Sequence, residues 1–168
     1  MISARQQRTN FTKAVTVLVL LLLGACSWAP PQPDVRHSSE PIGRADLAPA
    51  QKAAAIALQQ VGVPYQYGGR SPGGFDCSGL VYYAYQKAGK RLPRTTGQLW
   101  SELSPVSRRD IRIGDVLFFE VGGKMSHVGM YLGDDRFVHA PSTGRTVSVA
   151  SLSSPFFDAA LLRAGRPR

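Results

Sequence analysis

Val116-Leu117-Phe118-Phe119 is a run of four large apolar residues set behind a Gly114-Asp115 turn. A run this short and without polar alternation reads as a buried strand. Around it the chain changes character. Downstream, His127 to Leu132 and Arg136 to Ala140 read as two strands joined through Gly133-Asp134-Asp135, Thr146 to Ala150 as a further strand, and Ala159 to Arg163 as the last. Upstream the spacing is helical. Pro49 suits a helix N1 position, Ala54, Ala57, Leu58 and Val61 share one face, and Gly62 stops the run. Cys77, Leu80, Val81, Ala84 and Ala88 form a second apolar stripe, stopped by Gly89. A short third helix is expected behind Thr96 as N-cap, through Leu99, Trp100 and Leu103. Helices first and strands afterwards predict an α+β fold with an antiparallel sheet.

Cys77 stands where a loop, Ser71-Pro72-Gly73-Gly74, runs into the second helix. A helix N-terminus offers free N–H groups and a partial positive charge, both of which favour a thiolate. Two cysteines cannot build a disulfide framework, and no CxxC pair is present. A nucleophilic cysteine needs a base, because a free thiol with a pKa of about 8.5 is only slightly ionised at neutral pH. The strand pair offers one. A hairpin turning near Gly133-Asp134 pairs residues whose numbers sum to about 266, which sets His127 directly opposite His139 on one face. Gly129 and Tyr131 share that face; Val128, Met130 and Leu132 take the other. One imidazole can then serve as base while the second orients it.

Five segments carry a resemblance. Pro64-Tyr65-Gln66-Tyr67-Gly68-Gly69, Phe75-Asp76-Cys77-Ser78-Gly79-Leu80-Val81, Gly114-Asp115-Val116-Leu117-Phe118-Phe119, His127-Val128-Gly129-Met130-Tyr131-Leu132-Gly133 and Phe137-Val138-His139-Ala140 resemble the successive motifs of the NlpC/P60 cysteine peptidases. The resemblance implies a papain-like core, with a nucleophile helix packed on a central antiparallel sheet. It implies hydrolysis of peptidoglycan stem peptides, at the γ-D-glutamyl–diaminopimelate bond or another bond involving diaminopimelate. It assigns Cys77 as nucleophile, His127 as base and His139 as orienting residue. Tyr65 matches a tyrosine that lines the site, with a hydroxyl able to support an oxyanion. Asp76 and Ser78 match positions that bind a stem peptide's free amine in some members; Asp76 is equally suited to be the helix N-cap. Arg94 and Thr95 resemble a recurring segment near the cleft, where Arg94 would bind a carboxylate or else sit at the surface. Two readings of another kind stay open: a non-catalytic wall-binding or scaffold lipoprotein, and an amide hydrolase of the same fold with a different substrate.

The N-terminal region predicts export. Basic residues precede an apolar run from Ala14 to Leu23, too short for the ~20 residues of a spanning helix. Leu23-Gly24-Ala25-Cys26 resembles a bacterial lipoprotein box, which implies a signal peptide over 1–25, lipidation of Cys26 and a lipid anchor in the membrane. Ser27, in place of Asp, favours the outer membrane on the enterobacterial sorting rule; inner-membrane anchoring or secretion are the alternatives. Residues 26–46, rich in Pro and Ser, read as a tether, and 47–168 as the catalytic domain.

The formal charge of +9 is spread along the chain, without a basic helix or an aromatic-basic ladder, so nucleic acid is not an expected partner. Peptidoglycan, the membrane and a regulatory adaptor protein are. No cofactor is expected. Cys77, His127 and His139 could in principle hold zinc, but the close-spaced Cys/His pairs of a structural site are missing, and no metal is expected.

Overall fold

The computed structural model describes residues 48–168. The expected signal segment, Cys26 and the tether lie outside the described residues.

The described residues begin with three helices and a small hairpin. Helix α1 (Pro49–Leu58) has its proline in the first turn, where the missing N–H costs nothing. A two-stranded hairpin, β1 (Arg70–Ser71) and β2 (Gly74–Phe75), leads directly into α2 (Cys77–Lys87). Helix α3 (Thr96–Glu102) follows. Its N-cap is Thr95 rather than the expected Thr96. Thr95 and Gln98 form a reciprocal capping box, which shifts the helix start by one residue.

The remaining chain builds a six-stranded antiparallel sheet in the order β3-β8-β4-β5-β6-β7. These are β3 (Ser104–Val106), β4 (Val116–Glu120), β5 (Met125–Gly133), β6 (Arg136–His139), β7 (Ser148–Ser151) and β8 (Leu161–Arg166). The α+β expectation holds. Helix α4 (Pro155–Ala160) was not anticipated; it occupies the start of the stretch expected as the last strand and moves that strand to Leu161–Arg166.

Strand β4 lies between β8 and β5, and Val116, Leu117, Phe118 and Phe119 are all fully buried. They face two cores. Val116 and Phe118 join Val128, Met130 and Val138 beneath α1 and α2, where Ala53, Ala57, Leu80, Val81 and Ala84 complete the layer. Leu117 and Phe119 join Phe137 on the opposite face, against Phe157 of α4. A sheet covered on both faces has no use for polar alternation, hence the uninterrupted apolar run.

The β5–β6 register differs from expectation. Met130 pairs with Val138 and Tyr131 with Phe137, and the turn is Asp134-Asp135, both at positive φ (50° and 53°). Those dihedrals suit a two-residue hairpin turn whose twist matches that of the strands. A bulge between Tyr131 and Gly133 completes the shift. His139 therefore falls level with Gly129 and diagonal to His127. The shift is by two residues, and a two-residue shift leaves every side chain on its face.

Candidate active site

Asp76 caps α2. Its backbone is extended, and Oδ1 accepts the Gly79 N–H at 2.7 Å. This fixes Cys77 as the first helical residue, with its half-buried side chain packed against the helix-side core. Gly79 is required by contact. A Cβ there would lie 1.9 Å from the Gly69 carbonyl oxygen, so only glycine lets the helix approach the Gly68-Gly69 loop.

The Cys77 sulfur meets β5 at its main chain. Sγ lies 4.0 Å from the carbonyl oxygen of Ser126, the residue before His127. Thr96 Oγ1 is 3.9 Å away. Burial raises the thiol pKa; the Val128 N–H and the Thr96 hydroxyl oppose that rise by favouring the thiolate, and the Asp76 charge adds to it.

His127 and His139 are buried and joined, Nε2 of His127 to Nδ1 of His139 at 2.8 Å. Their rings stand on the α4 side of the sheet, His127 beside Phe119 and His139 beside Phe137 and Phe157. Burial depresses His127 to about 4; burial, His127 and Arg145 depress His139 to about 3. Both rings are neutral near pH 7. Nδ1 of His127 has no hydrogen-bond partner among the described residues, nor does any hydrogen bond link this ring to Sγ.

Arg94 is half-buried, and both of its terminal nitrogens are engaged within the protein. Nη1 bonds Asp76 Oδ1 at 2.9 Å and Ser78 Oγ at 3.0 Å; Nη2 bonds Asp76 Oδ2 at 2.7 Å and the Gly69 carbonyl at 3.1 Å. Oδ2 also accepts the Gly68 N–H at 3.0 Å. Burial alone would raise the Asp76 carboxyl; the Arg94 and Gly79 hydrogen bonds outweigh it and hold the pKa below the usual range. The three residues expected to contact substrate thus contact one another, and Ser78 is itself buried. Tyr65 is half-buried near Cys77 and Asp76, and its phenol pKa is raised by burial and by those two charges. Thr96 was not anticipated as a site residue. The Thr-x-x-Gln spacing from Thr95 is a capping-box signal that assigns the cap to Thr95 and leaves the Thr96 hydroxyl for the sulfur.

The arrangement is a thiol at a helix N-terminus beside the main chain that carries a neutral, hydrogen-bonded imidazole pair. A thiol and an imidazole pair of this kind have the groups that acyl transfer requires. The family profile described as NlpC/P60 family matches residues 62–166. Murein DD-endopeptidase MepH of Escherichia coli is 40% identical over 130 residues, which cover 71% of this chain and 48% of MepH. The match covers about half the length of the two Escherichia coli relatives, MepH (48%) and the probable endopeptidase YafL (46%), and less of other curated relatives. Among solved structures, an NlpC/P60 family protein from Bacillus cereus superposes with a TM-score of 0.66 at 31% identity, covering 70% of this chain and 39% of that one. The NlpC/p60 domain of the peptidoglycan hydrolase SagA superposes with a TM-score of 0.61 at 33% identity, over 70% of this chain and 98% of that domain.

Proposed function

This chain belongs to the NlpC/P60 family and has its α+β papain-like fold, and from that premise we propose that it is a cysteine endopeptidase of the bacterial cell wall. It cuts an amide bond in peptidoglycan stem peptides or their crosslinks, at the γ-D-glutamyl–diaminopimelate bond or another bond involving diaminopimelate. The observation that carries this reading is the His127–His139 hydrogen bond, which leaves Nδ1 of His127 without a partner among the described residues, on the strand whose main chain Sγ approaches at Ser126.

Cys77 is the nucleophile and His127 the base. For Nδ1 to accept a proton, Nε2 must carry the hydrogen and donate it to Nδ1 of His139. His139 thereby holds the tautomer, with its own hydrogen on Nε2. A raised thiol and a depressed imidazole make the resting pair neutral. The sulfur's proton moves to Nδ1 as the S–C bond forms, through a hydrogen bond that is made once substrate is bound. The carbonyl oxygen takes the negative charge; the Tyr65 hydroxyl and the Cys77 N–H support it. His127 then gives the proton to the departing amine, leaving a thioester on Cys77. Water attacks the thioester, His127 takes a proton from it, and the sulfur leaves. Arg94 pairs with Asp76 and so offsets part of the charge that opposes a thiolate at Cys77. Asp76 and Ser78 bind a substrate amine only in exchange for part of their bonding to Arg94.

A lipid on Cys26 anchors the enzyme, at the outer membrane facing the periplasm, and the Leu23–Cys26 segment supports this. Cys26→Ser would move the protein out of the membrane fraction if the reading holds. The cleavage itself is tested by incubating the protein with purified peptidoglycan and sequencing the released fragments by mass spectrometry. New amino termini on diaminopimelate are expected. Unchanged fragments, with Cys77 still open to alkylation, would favour a wall-binding role instead.

A further inference from the structure

A cavity of about 810 Å³ has His127 and His139 in its wall. Cys77 does not line it, so the cavity lies on the imidazole side of the site. Phe156 and Phe157 of α4 form an apolar wall, and Phe156 is 60% exposed. The rim is the loop between β6 and β7, which carries Arg145, the lining residue with a permanent charge.

The Arg145 main chain is fixed. Its N–H bonds the Ser142 carbonyl at 3.1 Å, and its own carbonyl accepts the Tyr65 N–H at 2.8 Å. The loop is thus tied to the segment that carries Tyr65. The Arg145 side chain is exposed, and no ion pair or side-chain hydrogen bond engages its guanidinium among the described residues. No acidic residue lines the cavity. An unpaired guanidinium at the rim of a largely apolar cavity matches a carboxylate on an otherwise aliphatic group.

The direction of the reaction says which half of a substrate would lie there. The acyl half stays on sulfur, while the amine half takes its proton from His127 and must leave past that ring. We propose that this cavity receives the amine-side half of the substrate and that Arg145 binds a free carboxylate carried on it. The assignment rests on the endopeptidase reading above. It makes Arg145 a specificity residue, favouring leaving groups with a free acid over the same groups amidated.

The test uses two peptides that differ only at the carboxyl of the amine-side diaminopimelate residue, free in one and amidated in the other. The wild type should favour the free acid by about tenfold or more in kcat/KM, as expected for a charge-assisted hydrogen bond. Arg145→Gln should bring that ratio close to one, and Arg145→Lys should keep part of it. A general loss of folding would lower both rates and leave the ratio unchanged. A ratio near one in the wild type, or one that survives in Arg145→Gln, overturns the proposal. If the wild type cleaves neither these peptides nor peptidoglycan, the endopeptidase reading fails. The cavity is then judged by calorimetric titration with diaminopimelate and its amide. Tighter binding of the acid, lost in Arg145→Gln, upholds the carboxylate site; equal binding overturns it.

Discussion

His127 and His139 do not face each other across the β5–β6 hairpin; they meet on its diagonal, and their imidazoles are hydrogen-bonded Nε2 to Nδ1 at 2.8 Å. The bond leaves one nitrogen of His127 uncommitted. Replacing His139 by Ala removes the acceptor and leaves a buried N–H unpaired, free to move to the wrong nitrogen. We expect kcat to fall by about 10²-fold or more while KM changes little. Steady-state kinetics on a muropeptide substrate checks this. A change confined to KM would mean that His139 serves substrate binding instead.

The same pair makes stability depend on pH. Unfolded, each imidazole titrates near 6.5; folded, burial holds His127 at about 4, and burial with its neighbour holds His139 at about 3. Between those values the unfolded chain binds more protons. The stabilisation is therefore full above about pH 6.5 and is lost as the pH falls towards 4, by at most about 1.4 kcal/mol per pH unit for each histidine. Urea midpoints measured near pH 7.5 and near pH 4.5 should show this fall, and His139→Phe should reduce it. Equal midpoints in the wild type would contradict the assignment.

Arg94 spans both oxygens of Asp76 in a partly buried pair. Arg94→Ala leaves that carboxylate without its counter-charge next to the sulfur. We expect a stability loss of about 1–3 kcal/mol and a higher thiol pKa. The pH dependence of Cys77 alkylation reads the second effect directly. Arg94→Lys should restore little, because an ammonium cannot reproduce a two-nitrogen contact. An unshifted alkylation profile in Arg94→Ala would show that the pair only fastens the loop.

Gly79→Ala sets a methyl group against a main-chain carbonyl, that of Gly69. The carbonyl cannot swing aside without disturbing its bonds to Arg94 and to the Asp76 N–H. A loss of about 1–3 kcal/mol or more is expected, together with loss of activity. Thermal melting and a peptidoglycan assay on the same sample would check both.

Much of this was readable from residue order. The change from helical spacing to strand runs predicts the α+β fold, and Val116–Phe119 marks the central strand because both of its faces are covered. The histidines fall on one face despite the register error, since the error was even. What escaped was set by contacts rather than by period. Helix α4 is only six residues long, too short for a periodic signal, although Ser154 caps it and Pro155 opens it. The pairing of Arg94 with Asp76, 18 residues earlier, is announced by no local pattern. The approach of Sγ to Ser126 likewise depends on how α2 docks on β5.

The most direct test is digestion of purified peptidoglycan by the wild type and by Cys77→Ala, with circular dichroism to show that both are folded. Release of muropeptides by the wild type and none by folded Cys77→Ala is the expected result. Release that continues in Cys77→Ala would rule out the cysteine mechanism.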